Sequence, residues 1–227
     1  MSLPLIIVRP EPGASATAAR AAALGLAGII APLFAAEPRA WTPPKLAGLD
    51  ALLVTSANAV RLAGPQLAAL AALPVHAVGE ASADAARAAG LTVAHIGDGG
   101  AQPLVDALVA RGARALLWLT GTERTALASG PARITPIITY AMPALPPPPA
   151  WGRAIAEPGL LLLHSARAAA RASALAGAAR NHLIALAISG PVAAAVGTGW
   201  KQVVVASSPD DAAMLALAAK LCQTKAA

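Results

Sequence analysis

Short apolar runs separated by alanine-rich amphipathic stretches recur along almost the whole chain, and this alternation admits few folds. Leu5–Val8, Gly28–Leu33, Ala51–Thr55, Val75–Val78, Ala115–Leu119, Leu160–His164 and Leu183–Ile188 read as strands. Ser15–Leu24, Ala57–Leu70, Ala81–Ala89, Pro103–Ala110, Ala166–Leu175 and Asp210–Leu221 read as helices. Strands spaced by helices of this length predict βαβ units, and therefore an α/β protein with parallel sheets.

The pattern also repeats. Leu52-Leu-Val-Thr-Ser-Ala-Asn-Ala matches Leu161-Leu-Leu-His-Ser-Ala-Arg-Ala, 109 residues further on (52 against 161). Ala77-Val-Gly-Glu-Ala-Ser resembles Ala187-Ile-Ser-Gly-Pro-Val at a spacing of 110, and Val93 falls on Val203 at the same spacing. Leu5-Ile-Ile-Val and Leu116-Leu-Trp-Leu pair at 111. Matches in constant order at a near-constant offset indicate an internal duplication. Two similar lobes follow from it, each a parallel sheet flanked by helices, with a ligand expected where such lobes face each other. Proline-rich segments at Pro143-Ala-Leu-Pro-Pro-Pro-Pro and near Glu37-Pro-Arg-Ala-Trp-Thr-Pro-Pro mark two connections, since tandem prolines favour extended, solvated backbone. The expected organisation is lobe one from residues 1–36 and 147–227, and lobe two from 37–146. The linker segments lie near 35–44 and 138–150 and form a two-stranded hinge.

Composition narrows the partners. Hydrophobic residues make up 57% of the 227 residues, but alanine, which fills little volume and favours helices, supplies much of that. Asn181–Trp200 lacks charge, yet Gly190 and Pro191 interrupt it, so it falls short of the roughly 20 unbroken apolar residues of a membrane helix. Ala21–Ala36 reads as a helix running into a buried strand rather than an export signal. Seventeen Lys+Arg against eleven Asp+Glu give a net charge of +6, dispersed rather than in blocks. With aromatics at 3%, base stacking is not served, so a small anion suits this charge better than nucleic acid. The single cysteine, Cys222, excludes an internal disulfide and suits a cytoplasmic protein.

No phosphate loop, dinucleotide fingerprint or hydrolase elbow is present. His76, His95, His164 and His182 lack metal-ligand spacing and read as strand-end residues. What recurs is a strand that ends in a hydroxyl residue just before a helix: Thr55-Ser56-Ala57, His164-Ser165-Ala166, Gly79 with Ser82, and Ser189-Gly190. Such turns expose backbone N–H groups at the positive end of the helix dipole. Each hydroxyl can cap its helix or help hold an anion, and both can be true of one residue.

The ordered segments Ala51-Leu-Leu-Val-Thr-Ser-Ala-Asn-Ala-Val, Ala77-Val-Gly-Glu-Ala-Ser-Ala-Asp and Leu161-Leu-Leu-His-Ser-Ala-Arg-Ala resemble uroporphyrinogen-III synthases. Val8-Arg9-Pro10, Leu119-Thr-Gly and Ile138-Thr-Tyr140 fall where that family has similar elements, so the resemblance spans nearly the whole chain. It implies an enzyme that uses no metal and no organic cofactor; the composition already points to a cytoplasmic protein that binds neither nucleic acid nor membrane, and a closing two-lobed monomer needs no partner. The implied substrate is hydroxymethylbilane, a linear tetrapyrrole polycarboxylate, closed with inversion of its last pyrrole. By the same resemblance Tyr140, the only tyrosine, is the proton donor that assists departure of the hydroxyl; the alternative is a linker-strand tyrosine with its ring packed and its hydroxyl exposed. Thr55, Ser56, Ala57, Gly79, Ser82, Ser165, Ala166, Ser189 and Gly190 are substrate-binding candidates. Arg9 and Arg124 are either cleft cations or surface charges. Family members often show Gly-Pro-Thr-Thr where this chain has Ser189-Gly190-Pro191-Val192, so any contact there falls to Ser189 or the backbone. The competing reading is a two-lobed small-anion binding or sensing module without catalysis.

Overall fold

The computed structural model describes residues 3–223, and in it the chain divides into two units. One comprises the residues up to Ala35 together with those from Pro143 onward, and the other is Ala36–Met142. The first half of the chain runs β1 (Leu5–Ile7), α1 (Gly13–Ala23), β2 (Gly28–Ile30), β3 (Glu37–Pro38) and β4 (Ala51–Val54). It continues with α2 (Ala57–Arg61), β5 (Val75–Val78), α3 (Glu80–Ala88), β6 (Val93–Gly97) and α4 (Ala101–Ala110). The second half holds β7 (Ala115–Gly121), β8 (Arg133–Ala141), α5 (Pro149–Ala156), β9 (Leu160–Leu163) and α6 (Ala166–Ala176). It closes with β10 (Ile184–Ala187), α7 (Gly190–Ala194), β11 (Gln202–Val205) and α8 (Asp211–Gln223).

The first unit has a five-stranded sheet in the order β11-β10-β9-β1-β2, parallel throughout. The second has six strands in the order β3-β8-β7-β4-β5-β6, parallel except for the short β3 against β8. Helices cover both faces, so central strands are apolar on both sides, as parallel sheets require. Leu161 and Leu163 face one core of the first unit, with Trp151 of α5 and the alanines of α6; Leu160 and Leu162 face the other, with Met214 and Leu215 of α8. In the second unit Leu52 and Leu117 pack under α2 and α3, whereas Leu53 and Leu116 pack under α4. Burying each such leucine contributes about 1.5–3 kcal/mol. Ala168, Ala172 and Ala176 form the buried stripe of α6, where small side chains let the helix lie close to the sheet.

Matched strand for strand, β11-β10-β9-β1-β2 corresponds to β6-β5-β4-β7-β8, and all the pairs except β2–β8 lie at the spacings seen in the sequence repeat. Each unit therefore combines the first two strands of one repeat with the last three of the other. Two differences stand out. No helix follows β7 where α1 follows β1, and β8 is nine residues long where β2 has three.

Several expectations need correction. The single helix expected over Ala57–Leu70 is broken into α2 and a 3-10 turn at Pro65–Leu70, because Gly64 adopts φ +76° and Pro65 has no N–H to continue the ladder. The strand after α1, expected to be buried, is a partly exposed edge strand that stops before Pro32. His76 and His95 lie inside β5 and β6 as register partners, with ring centroids 6.1 Å apart, rather than at strand ends. The proline-rich connection leads directly into α5, whose first residue is a proline, a favoured helix start. No helix among the described residues is long and apolar enough to cross a membrane.

Candidate active site

In open parallel sheets ligands bind beyond the carboxyl ends of the strands. The hydroxyl-bearing turns singled out in the sequence lie at those ends, within each unit separately.

In the second unit the end of β4 carries Thr55 and Ser56. Ser56 caps α2: its backbone is extended and its Oγ accepts from the Asn58 N–H at 3.2 Å. The Tyr140 hydroxyl donates to the same Oγ at 3.2 Å from β8. Thr55 Oγ1 accepts from Trp118 Nε1 at 2.9 Å, which ties β4 to β7. Beside Tyr140, the buried Thr139 hydroxyl donates to the Ala59 carbonyl at 2.7 Å and so fixes β8 against α2. Arg124 joins this group from the loop after β7. Its guanidinium lies 5.9 Å from the Trp118 ring centre, and its Nη1 donates to the Thr122 carbonyl. Thr55, Ser56, Arg124 and Tyr140 thus belong to one connected set, with Ala57 opening α2 next to Ser56.

Gly79 caps α3 at φ +88°, a conformation L side chains rarely adopt, which is why a glycine stands there. Ser82 is the third residue of α3 and is buried, with its N–H on the Gly79 carbonyl. It is packed inside the turn rather than presented at its tip.

In the first unit Ser165 caps α6, its Oγ accepting from the Ala168 N–H at 3.2 Å, with Ala166 as the first helical residue. Ser189 occupies the cap position of α7 with extended backbone but makes no side-chain cap bond, and Gly190 opens that helix. The remaining chemistry gathers on Asp211, the first residue of α8. Its carboxylate accepts from His164 Nε2 at 2.8 Å, Thr17 Oγ1 at 2.9 Å and Arg20 Nε at 2.8 Å, with Arg9 Nη1 at 3.4 Å. Arg9 also donates to Thr17. Burial pushes the Asp211 carboxyl up, but the bonds from His164, Arg20 and Thr17 together hold it below the ordinary carboxylate value. Burial lowers His164 below the ordinary imidazole value and outweighs its bond to Asp211. The imidazole is therefore neutral at pH 7, with its proton on Nε2 toward the carboxylate. Its Nδ1 is buried with no partner. Arg9 is held inward by this network and lies flat on Gly13, where a Cβ would sit 2.6 Å from its Nε.

Thr17, Arg20, Asp211, Trp118 and Thr139 escaped the sequence reading. Their partners are remote in the chain, 63 residues apart for Trp118 and Thr55 and 194 for Thr17 and Asp211, so no local spacing could reveal them. Among the described residues no group of three or more His, Cys, Asp or Glu could hold a metal ion.

Comparison with known proteins agrees with this architecture. The uroporphyrinogen-III synthetase of Helicobacter pylori superimposes with a TM-score of 0.70 at 18% identity, over 97% of this chain and 100% of that one. A mutant uroporphyrinogen III synthase of the extremely thermophilic bacterium Thermus thermophilus gives 0.52 at 19% identity, over 98% and 99%. At these identities the likeness speaks for the fold. No individual curated protein matches in sequence. The family model described as "Uroporphyrinogen-III synthase HemD" matches residues 15–216, most of the chain. With its fold, its ordered motifs and this match taken together, the chain belongs to the uroporphyrinogen-III synthase HemD family, of tetrapyrrole biosynthesis.

Proposed function

We propose that this protein is a uroporphyrinogen-III synthase that converts hydroxymethylbilane to uroporphyrinogen III with loss of one water. The observation that carries the reading is the Tyr140 hydroxyl, bonded to the Ser56 Oγ at a strand end in a member of this family. A phenol hydroxyl is a hydrogen-bond donor and can pass its proton to a departing hydroxyl. Departure as water leaves an azafulvene cation. The substituted carbon of the last pyrrole attacks it to give a spiro intermediate, which fragments and recombines with that ring inverted; loss of a proton completes the macrocycle.

The turns at Thr55-Ser56-Ala57, Gly79, Ser165-Ala166 and Ser189-Gly190 supply N–H groups and hydroxyls for the substrate's carboxylates. Ser82 supports its turn from within. Arg124, partly tethered over Trp118, can swing toward a carboxylate, whereas Arg9 acts through the Asp211 network. Much of the rate then comes from holding the chain in a folded geometry that closure without inversion cannot share. On this reading the enzyme is a cytoplasmic monomer and needs neither metal nor organic cofactor.

The test is a coupled assay with freshly made hydroxymethylbilane and chromatographic separation of the oxidised porphyrin isomers. Type III product dependent on the protein supports the proposal. Type I alone, the product of spontaneous closure, from folded protein sinks it in favour of a small-anion binding module.

A further inference from the structure

Position 121 is a glycine for a reason that lies outside its own backbone. Its φ is not in the left-handed region, so any L-residue could adopt the conformation. What excludes a side chain is Tyr140. A Cβ at Gly121 would lie 2.7 Å from the ring's Cζ, 2.9 Å from Cε1 and 3.1 Å from Cε2. The contact is made by a bulge: the β7–β8 register slips between Thr120, paired with Ile138, and Gly121, so that Gly121 pairs with Tyr140 rather than with Thr139. The Thr122 N–H then closes on the Tyr140 carbonyl at 3.0 Å and holds the slipped register. The face of the ring nearest the hydroxyl thus rests on bare backbone, while the hydroxyl itself meets Ser56.

We infer that Gly121 is a positioning residue for Tyr140: its missing side chain sets the depth of the ring and hence keeps the phenol hydroxyl on Ser56. The inference rests on the reading of Tyr140 as the proton donor. Tyr140 is only partly buried, so a methyl group at position 121 is accommodated by the ring swinging outward rather than by rupture of the sheet. That movement carries the hydroxyl away from Ser56.

Gly121→Ala tests this with two readouts. Tyr140 is the only tyrosine, so isotope-labelled tyrosine gives ring signals from this residue alone. Those signals are expected to shift and to lose cross-relaxation with the α-protons of residue 121. Type III formation is expected to fall by at least about tenfold, toward the roughly 10²-fold that a misplacement of about 1 Å can cost. In a Tyr140→Phe background the same glycine substitution should change the rate less than about twofold, because no hydroxyl is left to misplace. Unchanged ring signals, or an equal loss in both backgrounds, overturn the inference. A protein that makes no type III product in any form speaks against the proposed function, while the ring signals still decide the placement. Should Gly121→Ala not fold, Gly121→Ala with Tyr140→Ala removes the ring that excludes the methyl and is expected to fold; failure there also overturns it.

Discussion

At the end of β4 the chain places Thr55 and Ser56; 109 residues later, at the end of β9, it places His164 and Ser165. Both serines have extended backbone and cap the following helix. The preceding residues differ in kind. Thr55 is held by the Trp118 indole in a neutral setting, whereas His164 is held by Asp211 in an ionic one. The difference traces to the helix that follows β1 and has no counterpart after β7. Helix α1 brings Thr17 and Arg20 to Asp211, and the residue matching Asp211 in the other repeat is Ala101. In the second unit the place of that helix is taken by the loop carrying Arg124, and β8 extends to deliver Tyr140. One backbone device recurs in both copies, with an ionic network beside it in one and the Tyr140–Ser56 hydrogen bond in the other.

The largest expected effect tests the sameness of the two copies. Leu52 and Leu161 are matched by the repeat and both fully buried, so Leu52→Ala and Leu161→Ala should each lower stability by about 2–5 kcal/mol in denaturant unfolding. A much smaller loss for one would break the strand-for-strand correspondence.

Next, Tyr140→Phe is expected to reduce type III formation by roughly 10²-fold, the low end for a positioned proton donor. It should leave measurable activity, since binding geometry remains. A wild-type rate would remove Tyr140 from the mechanism and erase the functional contrast between the units.

Asp211→Ala removes the hub of the ionic copy and leaves Arg9 partly buried without its carboxylate. A loss of about 2 kcal/mol at pH 7 is expected, below the roughly 3–5 of a fully buried pair because Arg20 is half exposed. Asp211 has a lowered folded-state pKa, so its stabilisation is present above the ordinary carboxylate value of about 4 and fades as pH falls through the folded value. The gap between wild type and variant should therefore be full at neutral pH and close in acid. His164, depressed by burial, adds a loss of stability in the same direction once pH drops below about 6.5, since the unfolded chain takes up its proton first. Thermal unfolding followed from pH 7 to pH 3 checks both; a gap independent of pH would contradict the carboxylate's role.

The smallest effects separate capping from chemistry. Ser56→Ala and Ser165→Ala should each cost about 1 kcal/mol of stability through the lost cap. Ser56→Ala should slow turnover more than Ser165→Ala, because Ser56 also holds the phenol. Equal turnover in both variants would reduce the Tyr140–Ser56 bond to a structural contact.

Much of this molecule could be read before its structure. Runs such as Leu160–Leu163, short and apolar at every position, fit strands covered on both faces, and Ser56 and Ser165 mark where the helices after β4 and β9 begin. The duplication was equally open to view, because a repeated strand–serine–helix unit leaves its spacing in the chain. Local chemistry also fixed the glycine of the α3 cap. Tertiary structure alone decided which polar groups meet. Trp118 and Thr55, Gly121 and Tyr140, and Asp211 and its four donors come together by sheet order and register, which bring distant segments within hydrogen-bonding or van der Waals reach. The same is true of the exchange between repeats. A spacing near 110 residues identifies the copies, but which strands share a sheet depends on hydrogen-bond pairing between segments far apart in the chain.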